Sequence, residues 1–391
     1  DKKESAGKGG KEMNILHVII SLTAGGAENS LKRLIESHKD DTNYQHSVLS
    51  LTTIGKVGEQ LQASGIEVSS LGLKSSLSLP ITFIRLIKFI RKANPDIVHT
   101  WMYHADLLGG LAAWVMRKKV IWSIRNTDIS INSGTATTTV HIMNICAYLS
   151  SYIPKKIVCV ANAALISHSN YGYNKKIMTV IQNGYDVNKI NQAAVKIPRD
   201  VFRHSLNITQ NAIVIGSVGR YNDYKDYPTF IKTAVILLKS NPALCFLLVG
   251  RNVDHDNKML AQLIIATGHQ DNFILLGERN DIPACLLAMD IFCLHSISEG
   301  FPNALGEAMS IGLPCVTTDA GDAAMMVGNE ALVVDYSQPN LLAKSLQKLL
   351  NLTVLQRSKI GKELQQHIKN EYSMIKVKKS YEALYQQVIN L

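Results

Sequence analysis

The chain has 391 residues, of which 46% are hydrophobic and 18% are charged. This composition supports packed cores and excludes a disordered chain, and the length predicts two or three domains at about 150 residues each. The longest apolar run covers residues 107–116. It is about half of the roughly 20 residues that a membrane-spanning helix needs, so no such helix is expected.

The formal net charge of +10 is concentrated in the first half of the chain. Residues 13–197 hold 19 basic and 10 acidic side chains, whereas residues 198–391 hold 18 of each. This asymmetry predicts that the first half faces an anionic membrane surface or a phosphorylated substrate. Nucleic acid is not expected as a partner, because the sequence has no basic helix with interleaved base-reading groups and no aromatic RNA-binding signature.

Short apolar runs typical of buried parallel strands alternate with longer amphipathic patterns along the chain. The predicted strands are residues 15–21, 46–52, 96–100, 120–124 and 156–161, followed by 212–219, 243–250, 272–277, 290–295, 313–318 and 331–335. A polar stretch near residues 187–210 separates the two sets. The alternation predicts an α/β fold with two doubly wound, Rossmann-like domains, residues 13–197 and 198–373, on either side of a cleft.

The two ends of the chain and its cysteines complete this outline. Residues 1–12 carry seven charges and no apolar core, so we expect no signal peptide there and place them outside the fold. Residues 374–391 predict a final amphipathic helix that can pack on either domain.

The six cysteines form no Cys-x-x-Cys pair, which predicts buried thiols in a reducing cytoplasm rather than disulfides or zinc ligands.

The strongest chemical signal follows the predicted strand at residues 290–295. A turn leads into a helix that begins near Asn303, with Glu299 on the loop and Glu307 about one turn into the helix. Free backbone N–H groups and the helix dipole favour an anion at such an end. The backbone groups of this turn belong to Phe301, Pro302 (which has no N–H), Asn303 and Ala304. We interpret the turn as a diphosphate cradle beside two carboxylates that accept hydrogen bonds from sugar hydroxyls, with a capping loop as the alternative.

Two glutamates eight positions apart in this setting resemble the Glu-x7-Glu motif of glycosyltransferase family 4, which are retaining enzymes with the GT-B fold. The resemblance extends from residue 14 to the final helix. It includes two adjacent glycines after the first strand, a Gly-Arg pair and a lysine after the first strand of the second half, and an Asn-Gly pair near the domain junction. These residues are Gly25, Gly26, Gly219, Arg220, Lys225, Asn183 and Gly184.

Arg220 and Lys225 follow a glycine-rich strand end. Ligands of open α/β sheets bind at the carboxyl ends of strands, so two cations there suit a leaving diphosphate. Isolated surface cations are the alternative for each residue taken alone. Asp226 stands where many members of the resembled family have glycine.

Gly25 and Gly26 allow the backbone to approach a ligand closely, and a packing turn is the alternative. In the resembled family, this loop closes over the donor phosphate and sugar. No complete Gly-x-Gly-x-x-Gly occurs in the sequence, which argues against a nicotinamide or flavin cofactor, and no cofactor is expected.

His104 follows the strand predicted at residues 96–100. A histidine there is a structural hydrogen-bonding residue or, by the resemblance, a contact to the donor sugar in the loop after the strand. His104 fits that position better than His99, which falls inside the strand.

By the resemblance, Glu307 binds the ribose hydroxyls, Glu299 binds the donor sugar, and Arg220 and Lys225 offset charge as the glycosidic bond breaks. The cradle holds the sugar and phosphate, and the loop that contacts the base contains Gly277 and Arg279. Family frequency favours a UDP-sugar donor over GDP-mannose. The acceptor then lies in the first domain and the nucleotide in the second.

A metal site is the competing interpretation of Asp254, His255 and Asp256, because Asp-x-Asp coordinates a divalent metal in the other large transferase fold. Here the acids stand at a predicted helix start, where they cap the helix and complement its dipole. The sequence therefore predicts metal-independent activity, and no Cys/His cluster indicates zinc.

The sequence thus predicts a cytoplasmic, retaining hexosyl- or N-acetylhexosaminyltransferase that moves sugar from a nucleotide diphosphate to a glycan or polyprenyl-diphosphate-linked acceptor, as in O-antigen or capsule assembly. Helices near residues 80–92 and 107–116 carry both apolar and basic side chains. They suit peripheral contact with the inner face of an anionic membrane, or are ordinary helices packed on a sheet. A nucleotide-sugar 2-epimerase and a non-catalytic nucleotide-sugar-binding protein remain alternatives.

Overall fold

The computed structural model describes residues 12–23, 25–75, 78–127 and 137–391. The expectation for residues 1–12 lies, apart from Glu12, outside the described residues. The described chain forms two α/β domains, each built on a parallel sheet, so the predicted fold class is confirmed.

The first domain alternates strands and helices throughout. Its elements are β1 (Met13–Ile19), α1 (Gly26–Ser37), β2 (Tyr44–Ser50), α2 (Gly55–Ala63), β3 (Glu67–Ser70), α3 (Leu79–Ala93), β4 (Ile97–Trp101), α4 (Tyr103–Val115), β5 (Lys119–Ile124), α5 (Thr137–Leu149), β6 (Lys156–Cys159), α6 (Asn162–Tyr171) and β7 (Met178–Val180). Within the described residues, the strand order in the sheet is β3-β2-β1-β4-β5-β6-β7. The order reverses between β1 and β4, the kind of switch point where open α/β sheets bind ligands.

The rest of the chain repeats the pattern and ends in three helices. Its elements are α7 (Val187–Ala194), α8 (Arg199–Ser205), β8 (Val214–Val218), α9 (Tyr227–Leu238), β9 (Cys245–Val249), α10 (Lys258–Ile265), β10 (Phe273–Leu275), α11 (Ile282–Leu287), β11 (Ile291–Leu294), α12 (Asn303–Ile311), β12 (Cys315–Thr318), α13 (Ala323–Val327), β13 (Val333–Val334), α14 (Pro339–Leu350), α15 (Val354–Glu371) and α16 (Met374–Ile389). The second sheet has the order β10-β9-β8-β11-β12-β13 and reverses between β8 and β11.

Central strands are buried on both faces, as is typical of parallel strands in an α/β sheet. Every residue of β4, β11 and β12 is buried. In the first domain, α3, α4 and α5 pack on one side of the sheet, and a separate core on the other side involves α1 and α2. Within the described residues, no helix combines the length and the apolar character needed to cross a bilayer.

Two segments cross between the domains. The final helix, α16, packs against α1, and its side chains Tyr381, Tyr385 and Val388 join the core formed by Ile15 and Ile97 of the first sheet. In the other direction, α7 packs against α11 and α12 of the second domain. The chain therefore changes domain before α7 rather than at residue 198.

Candidate active site in the interdomain cleft

A cleft of about 680 Å³ lies between the carboxyl ends of the two sheets. Residues of both domains line it, and these include Gly25 and Gly26 from the first domain and Arg220 and Lys225 from the second. A larger cavity of about 810 Å³ lies beside the amino ends of β1 and β2, where Asn14 and Gln45 line it. We place the candidate site in the interdomain cleft, because ligands of such sheets bind at carboxyl ends.

The N-terminus of α12 opens into this cleft without a side-chain cap. Pro302 occupies the N-cap position, and its side chain makes no capping hydrogen bond. The first N–H groups of a helix have no partner within the helix, and the dipole places about half a positive charge at that end. Phe301, Asn303 and Ala304 line the cleft at this point. The turn therefore offers backbone donors to an anion.

Glu299 and Lys225 form an ion pair at the floor of the cleft. The same carboxylate oxygen, Glu299 Oε1, accepts a hydrogen bond of 2.6 Å from Ser296 Oγ. Lys225 is held by Asn222, whose side-chain oxygen accepts a bond of 3.0 Å from the Lys225 backbone N–H. Both charged groups are mostly buried, so the pair is fixed in place beside the positive end of α12.

Arg220 lines the same cleft at the end of β8, and its side chain is exposed. Asp226 follows Lys225 with a φ of 49°, in the left-handed region. Its carboxylate accepts bonds from the Thr229 N–H at 3.2 Å and from Ser337 Oγ at 2.9 Å. The positive φ explains why glycine suits this position, and the aspartate here compensates by capping α9.

Glu307 is paired with a cation that comes from the opposite domain. Arg33 of α1 lies 3.5 Å from Glu307 Oε1 and donates a hydrogen bond of 3.0 Å to Asn303 Oδ1. Burial raises the pKa of Glu307, and the Arg33 charge partly offsets that rise. Asn183 also donates to Asn303 Oδ1, at 2.8 Å. The helix that carries Glu307 is therefore bonded directly to the first domain.

The glycine-rich loop of the first domain faces this helix end. A Cβ on Gly26 would lie 3.7 Å from Asn303 Nδ2, and Gly300 approaches Thr127 Oγ1 so closely that its Cβ would lie 3.2 Å away. Lys56 of α2 donates a bond of 2.7 Å to Asn280 Oδ1 across the cleft. These contacts bring the two domains together around the site.

The structure brings most of the predicted site residues to the cleft, and their roles stay predictions. Residues that line it are Gly25, Gly26, Arg220, Lys225, Arg279, Glu299, Phe301, Asn303, Ala304 and Glu307. The Phe301 ring packs against Tyr185 and Tyr372, with ring centroids 6.4 and 5.5 Å apart. The Arg279 guanidinium is paired with Asp281 at 2.6 Å.

Three predicted residues are not brought to the lining of the cleft. His104 was expected in a loop, but α4 begins at Tyr103, so His104 lies half-buried within the first turn of that helix. The Gly277 N–H donates to Val253 O and its carbonyl accepts from the Gly250 N–H, each at 2.8 Å. Pro302, at the N-cap position of α12, is buried.

The wall formed by the first domain contains cations that the sequence analysis did not select. Arg125, which follows β5, lines the cleft, donates to Asn183 Oδ1 and lies over the Trp101 ring at 5.3 Å. Arg33 is the second such residue. Arg125 follows a strand end just as Arg220 does, so the same rule could have found it. Arg33 lies inside a helix with other charged residues, and nothing in the sequence distinguishes it.

A buried carboxylate joins the domains behind the site. Asp322, at the start of α13, accepts bonds from the backbone N–H groups of Asn162 at 2.8 Å and Ala163 at 3.0 Å, in the first turn of α6. Its own N–H donates to Gly300 O at 3.2 Å. Asp322 therefore connects the first domain to the loop that carries Glu299.

The Asp254 segment has the geometry of a helix entry. Asp254 Oδ1 accepts from the Asp256 and Asn257 N–H groups at 3.1 and 3.2 Å, and Asn257 caps α10. Among the residues that the structure describes, no group of three or more His, Cys, Asp or Glu side chains is placed to hold a metal ion.

Two family models together match most of the chain. The model described as Glycosyltransferase Family 4 matches residues 24–189, and the model described as Glycosyl transferases group 1 matches residues 198–370. Their junction falls near the crossing between the two domains. The second match contains Arg220, Lys225 and both glutamates of the cleft.

Curated relatives agree with these models. The chain is 27% identical over 305 residues to the UDP-Gal:alpha-D-GlcNAc-diphosphoundecaprenol alpha-1,3-galactosyltransferase of Escherichia coli, covering 75% of this chain and 76% of that protein. It is 22% identical over 320 residues to the capsular polysaccharide biosynthesis glycosyltransferase CapM of Staphylococcus aureus, covering 78% and 80%.

Solved structures share the whole fold. Anabaena HepE in complex with UDP superposes with a TM-score of 0.81 at 20% identity, covering 96% of this chain and 100% of that chain. A glycosyltransferase from Rickettsia africae gives a TM-score of 0.80 at 18% identity, with coverage of 97% and 99%. The two doubly wound domains thus have the GT-B arrangement. The chain belongs to glycosyltransferase family 4, and it is a glycosyltransferase.

Proposed function

We propose that this glycosyltransferase moves a hexosyl or N-acetylhexosaminyl group from a UDP-sugar to a lipid-linked glycan in surface polysaccharide assembly, with retention at the anomeric carbon. The observation that carries the proposal is the uncapped N-terminus of α12, which faces Lys225 and Arg220 in the interdomain cleft. Backbone donors, a helix dipole and two cations together suit a diphosphate.

Charge development explains how these groups accelerate transfer. As the bond between the sugar and the phosphate breaks, negative charge grows on the leaving diphosphate. Lys225, Arg220 and the α12 N-terminus line the space that we assign to the diphosphate, and preorganised charge is often the largest contribution to catalysis. These groups supply the positive charge that a divalent metal supplies in metal-dependent transferases. We therefore propose metal-independent transfer.

The state of Glu299 favours an orienting role over a nucleophilic one. Its carboxylate is already bonded to Lys225 and Ser296. In the reaction we propose, the acceptor oxygen bonds to the anomeric carbon on the face that the phosphate leaves, and the acceptor proton passes to the departing phosphate oxygen. Glu299 then holds the sugar hydroxyls, and Glu307 holds the ribose.

The proposed donor and acceptor follow from the relatives. Anabaena HepE was crystallised with UDP, and the name of the Escherichia coli relative specifies a UDP-sugar and a diphosphoundecaprenol acceptor. The excess positive charge of the first domain suits an anionic acceptor near a membrane. We accordingly place the reaction at the cytoplasmic face of the cell membrane.

Thermal unfolding in the presence of EDTA tests this proposal, because a ligand that binds only the folded state raises stability. UDP and one UDP-sugar should raise Tm most in a panel that includes GDP-mannose and NAD. The Lys225→Ala variant should lose most of that shift, and Lys232→Ala, an exposed lysine on α9, should keep it. A best response to NAD, or a response only with manganese, would overturn the proposal. UDP release that strictly requires an acceptor would speak against the epimerase alternative.

A further inference from the structure

The positive charge of the first domain is confined to one stretch of the chain. Residues 78–185 hold 12 basic and 3 acidic side chains, whereas the rest of residues 13–197 holds 7 of each. That stretch contains α3, α4, α5 and α6. Even with all three of its acidic side chains charged, the stretch keeps nine positive charges in excess. Asp106 is buried, Asp96 is bonded to the Asn14 N–H, and Asp128 lies outside the described residues.

The same helices expose large apolar side chains. On α3, Ile81 is 58% exposed, and Ile84 lies one turn further along the same face. Trp114 at the end of α4 is 50% exposed. Tyr148 and Tyr152, at and just after the end of α5, are 70% and 62% exposed, with ring centroids 5.6 Å apart.

Cations are interleaved with these apolar groups. Arg85, Lys88 and Arg91 lie on the exposed face of α3, at positions that continue the line from Ile81 and Ile84. Arg117 follows Trp114, and Lys155 follows Tyr152, and both are exposed. Because α4 packs against both α3 and α5, these side chains form one continuous surface, which we call the α3–α5 face.

We propose that the α3–α5 face docks on the anionic leaflet of a lipid bilayer. Tryptophan and tyrosine are favoured at the membrane interface, and lysine and arginine near them are attracted to anionic headgroups. A second copy of this chain would bring two positive faces together, which like-charge repulsion opposes. Nucleic acid would leave the exposed isoleucines and aromatic rings without a role.

The position of this face relates the bilayer to the cleft. In a strand-helix-strand unit with parallel strands, each helix begins at the carboxyl end of the preceding strand. Ile81 and Ile84, near the start of α3, therefore lie toward the cleft, and Trp114 and Tyr152 lie toward the opposite edge. The bilayer would run along the side of the first domain, next to the mouth of the cleft. This arrangement rests on the proposed function, since it lets an acceptor anchored in the bilayer enter the cleft.

Tryptophan fluorescence tests the proposal directly. The chain has three tryptophans, of which Trp101 and Trp122 are fully buried in the first domain, so a change in emission on vesicle addition reports Trp114. Vesicles of phosphatidylcholine with 30% phosphatidylglycerol should shift the emission to the blue, and brominated lipids should quench it. The Trp114→Phe variant should lose the signal. No shift with any vesicle would overturn the proposal.

Sedimentation with the same vesicles measures the affinity. We expect at least tenfold weaker binding to pure phosphatidylcholine and for Lys88→Glu/Arg91→Glu, because each basic residue adds attraction to an anionic surface. Tyr148→Ser/Tyr152→Ser should weaken binding several-fold. The matched controls are Lys359→Glu/Lys362→Glu and Met259→Ser/Ile265→Ser, which change exposed side chains of α15 and α10 and should bind as the wild type does. Equal losses in the controls, or a dimer in solution that the tyrosine variant abolishes, would overturn the assignment.

The vesicle measurements need no nucleotide, and the donor measurement needs no lipid, so the two proposals fail independently. If the protein binds a UDP-sugar but no vesicle, the proposed docking of the α3–α5 face is wrong and the proposed function stands. If it binds vesicles but no nucleotide sugar, the proposed function is wrong and the docking surface stands.

Discussion

The two domains share one architecture and differ in where they place their charge. The second domain is balanced overall, yet it concentrates Arg220, Lys225 and the α12 N-terminus in the cleft. The first domain has the excess charge, and exposes much of it on the α3–α5 face, away from the catalytic groups. Net charge is therefore a poor guide to where phosphate binds within a domain, because the local arrangement of donors decides that.

The two walls of the cleft also differ in how they are built. On the second domain, Ser296, Glu299, Asn303 and Glu307 come from a single strand-turn-helix segment. On the first domain, Arg33, Arg125 and Asn183 come from three separate elements. The second-domain wall, to which the loop after β8 adds Arg220 and Lys225, keeps its geometry through bonds within this segment and to it, whereas the first-domain wall depends on the packing of the whole domain. If catalysis depends mainly on the second-domain wall, substitutions in that wall should lower kcat most.

The largest effect is expected at the ion pair of the second domain. Lys225→Ala should lower kcat by about 100- to 1000-fold, because it removes a fixed charge beside the developing phosphate charge. Glu299→Gln should be similarly impaired through loss of the ion pair that holds Lys225. Steady-state transfer rates measure both, with Lys232→Ala as the matched lysine control. A loss below tenfold for Lys225→Ala would contradict the assignment.

Acid should destabilise the first domain before the second. Burial lowers the pKa of several histidines of the first domain, and it lowers that of His168 to about 4. The others are His17, His38, His46, His99 and the half-buried His104. The second domain has one buried histidine with such a shift among its described residues, His295, whose pKa falls to about 3.

Proton uptake decides whether acid raises or lowers the free energy of unfolding. Between the unfolded pKa of 6.5 and the lower folded value, the unfolded chain binds protons that the folded chain excludes. The free energy of unfolding therefore falls as the pH falls through this range, by roughly 1 kcal/mol per pH unit for each such histidine. Hydrogen exchange at pH 7 and pH 5 should show greater loss of protection in the first sheet. Equal losses in both sheets would contradict this expectation.

The sequence predicted the second-domain wall better than the first-domain wall. The reason is that the glutamates of the second-domain wall lie in one contiguous motif, whereas the residues of the first-domain wall come from separate elements. A contiguous motif shows its geometry in the spacing of Glu299 and Glu307. The Arg33–Glu307 contact joins residues 274 positions apart, and no local pattern encodes it. His104 failed to reach the cleft because α4 begins directly at Tyr103, after Met102 with a φ of 72°. The turn is one residue long, and the sequence gives no sign of that.

The fold shows a similar limit at its edges. Central strands such as β4 and β9 were predicted from apolar runs, and they are buried as such runs require. The strands β3 and β7 were missed, and they lie at the two edges of the first sheet. Only Val68 of β3 is buried, and no residue of β7 is. An edge strand with little buried surface needs no apolar pattern, and β3, with the sequence Glu-Val-Ser-Ser, has none. The edge strands of the second sheet, β10 and β13, were predicted because their residues are all apolar.

Loss of the Arg33–Glu307 contact between the two walls should impair transfer less than loss of the Lys225–Glu299 ion pair. Arg33→Ala leaves the partly buried Glu307 carboxylate without its cation and removes one donor from Asn303. We expect the KM for the donor to rise about tenfold with a smaller change in kcat, because this contact shapes binding rather than the leaving group. Lys32→Ala, on the same helix with a partly exposed partner Glu36, is the control. A kcat loss as large as that of Lys225→Ala would mean that both walls do the chemistry.

The smallest effect is expected at Asp322, which connects the walls from behind. Asp322→Ala removes the acceptor for two N–H groups at the start of α6, and losing a helix cap costs about 1 kcal/mol of stability. The backbone N–H of Asp322 keeps its bond to Gly300 in this variant. We therefore expect only a three- to fivefold fall in kcat, caused by the loosened contact between α6 and the loop that carries Glu299, and partly restored in Asp322→Asn, which keeps one oxygen. Asp335→Ala, an exposed carboxylate near β13, should change neither quantity. If Asp322→Ala lowers the free energy of unfolding but leaves kcat and KM unchanged, the contact serves folding alone. The two walls then hold their alignment without it, and the Arg33 and Lys56 contacts across the cleft are sufficient.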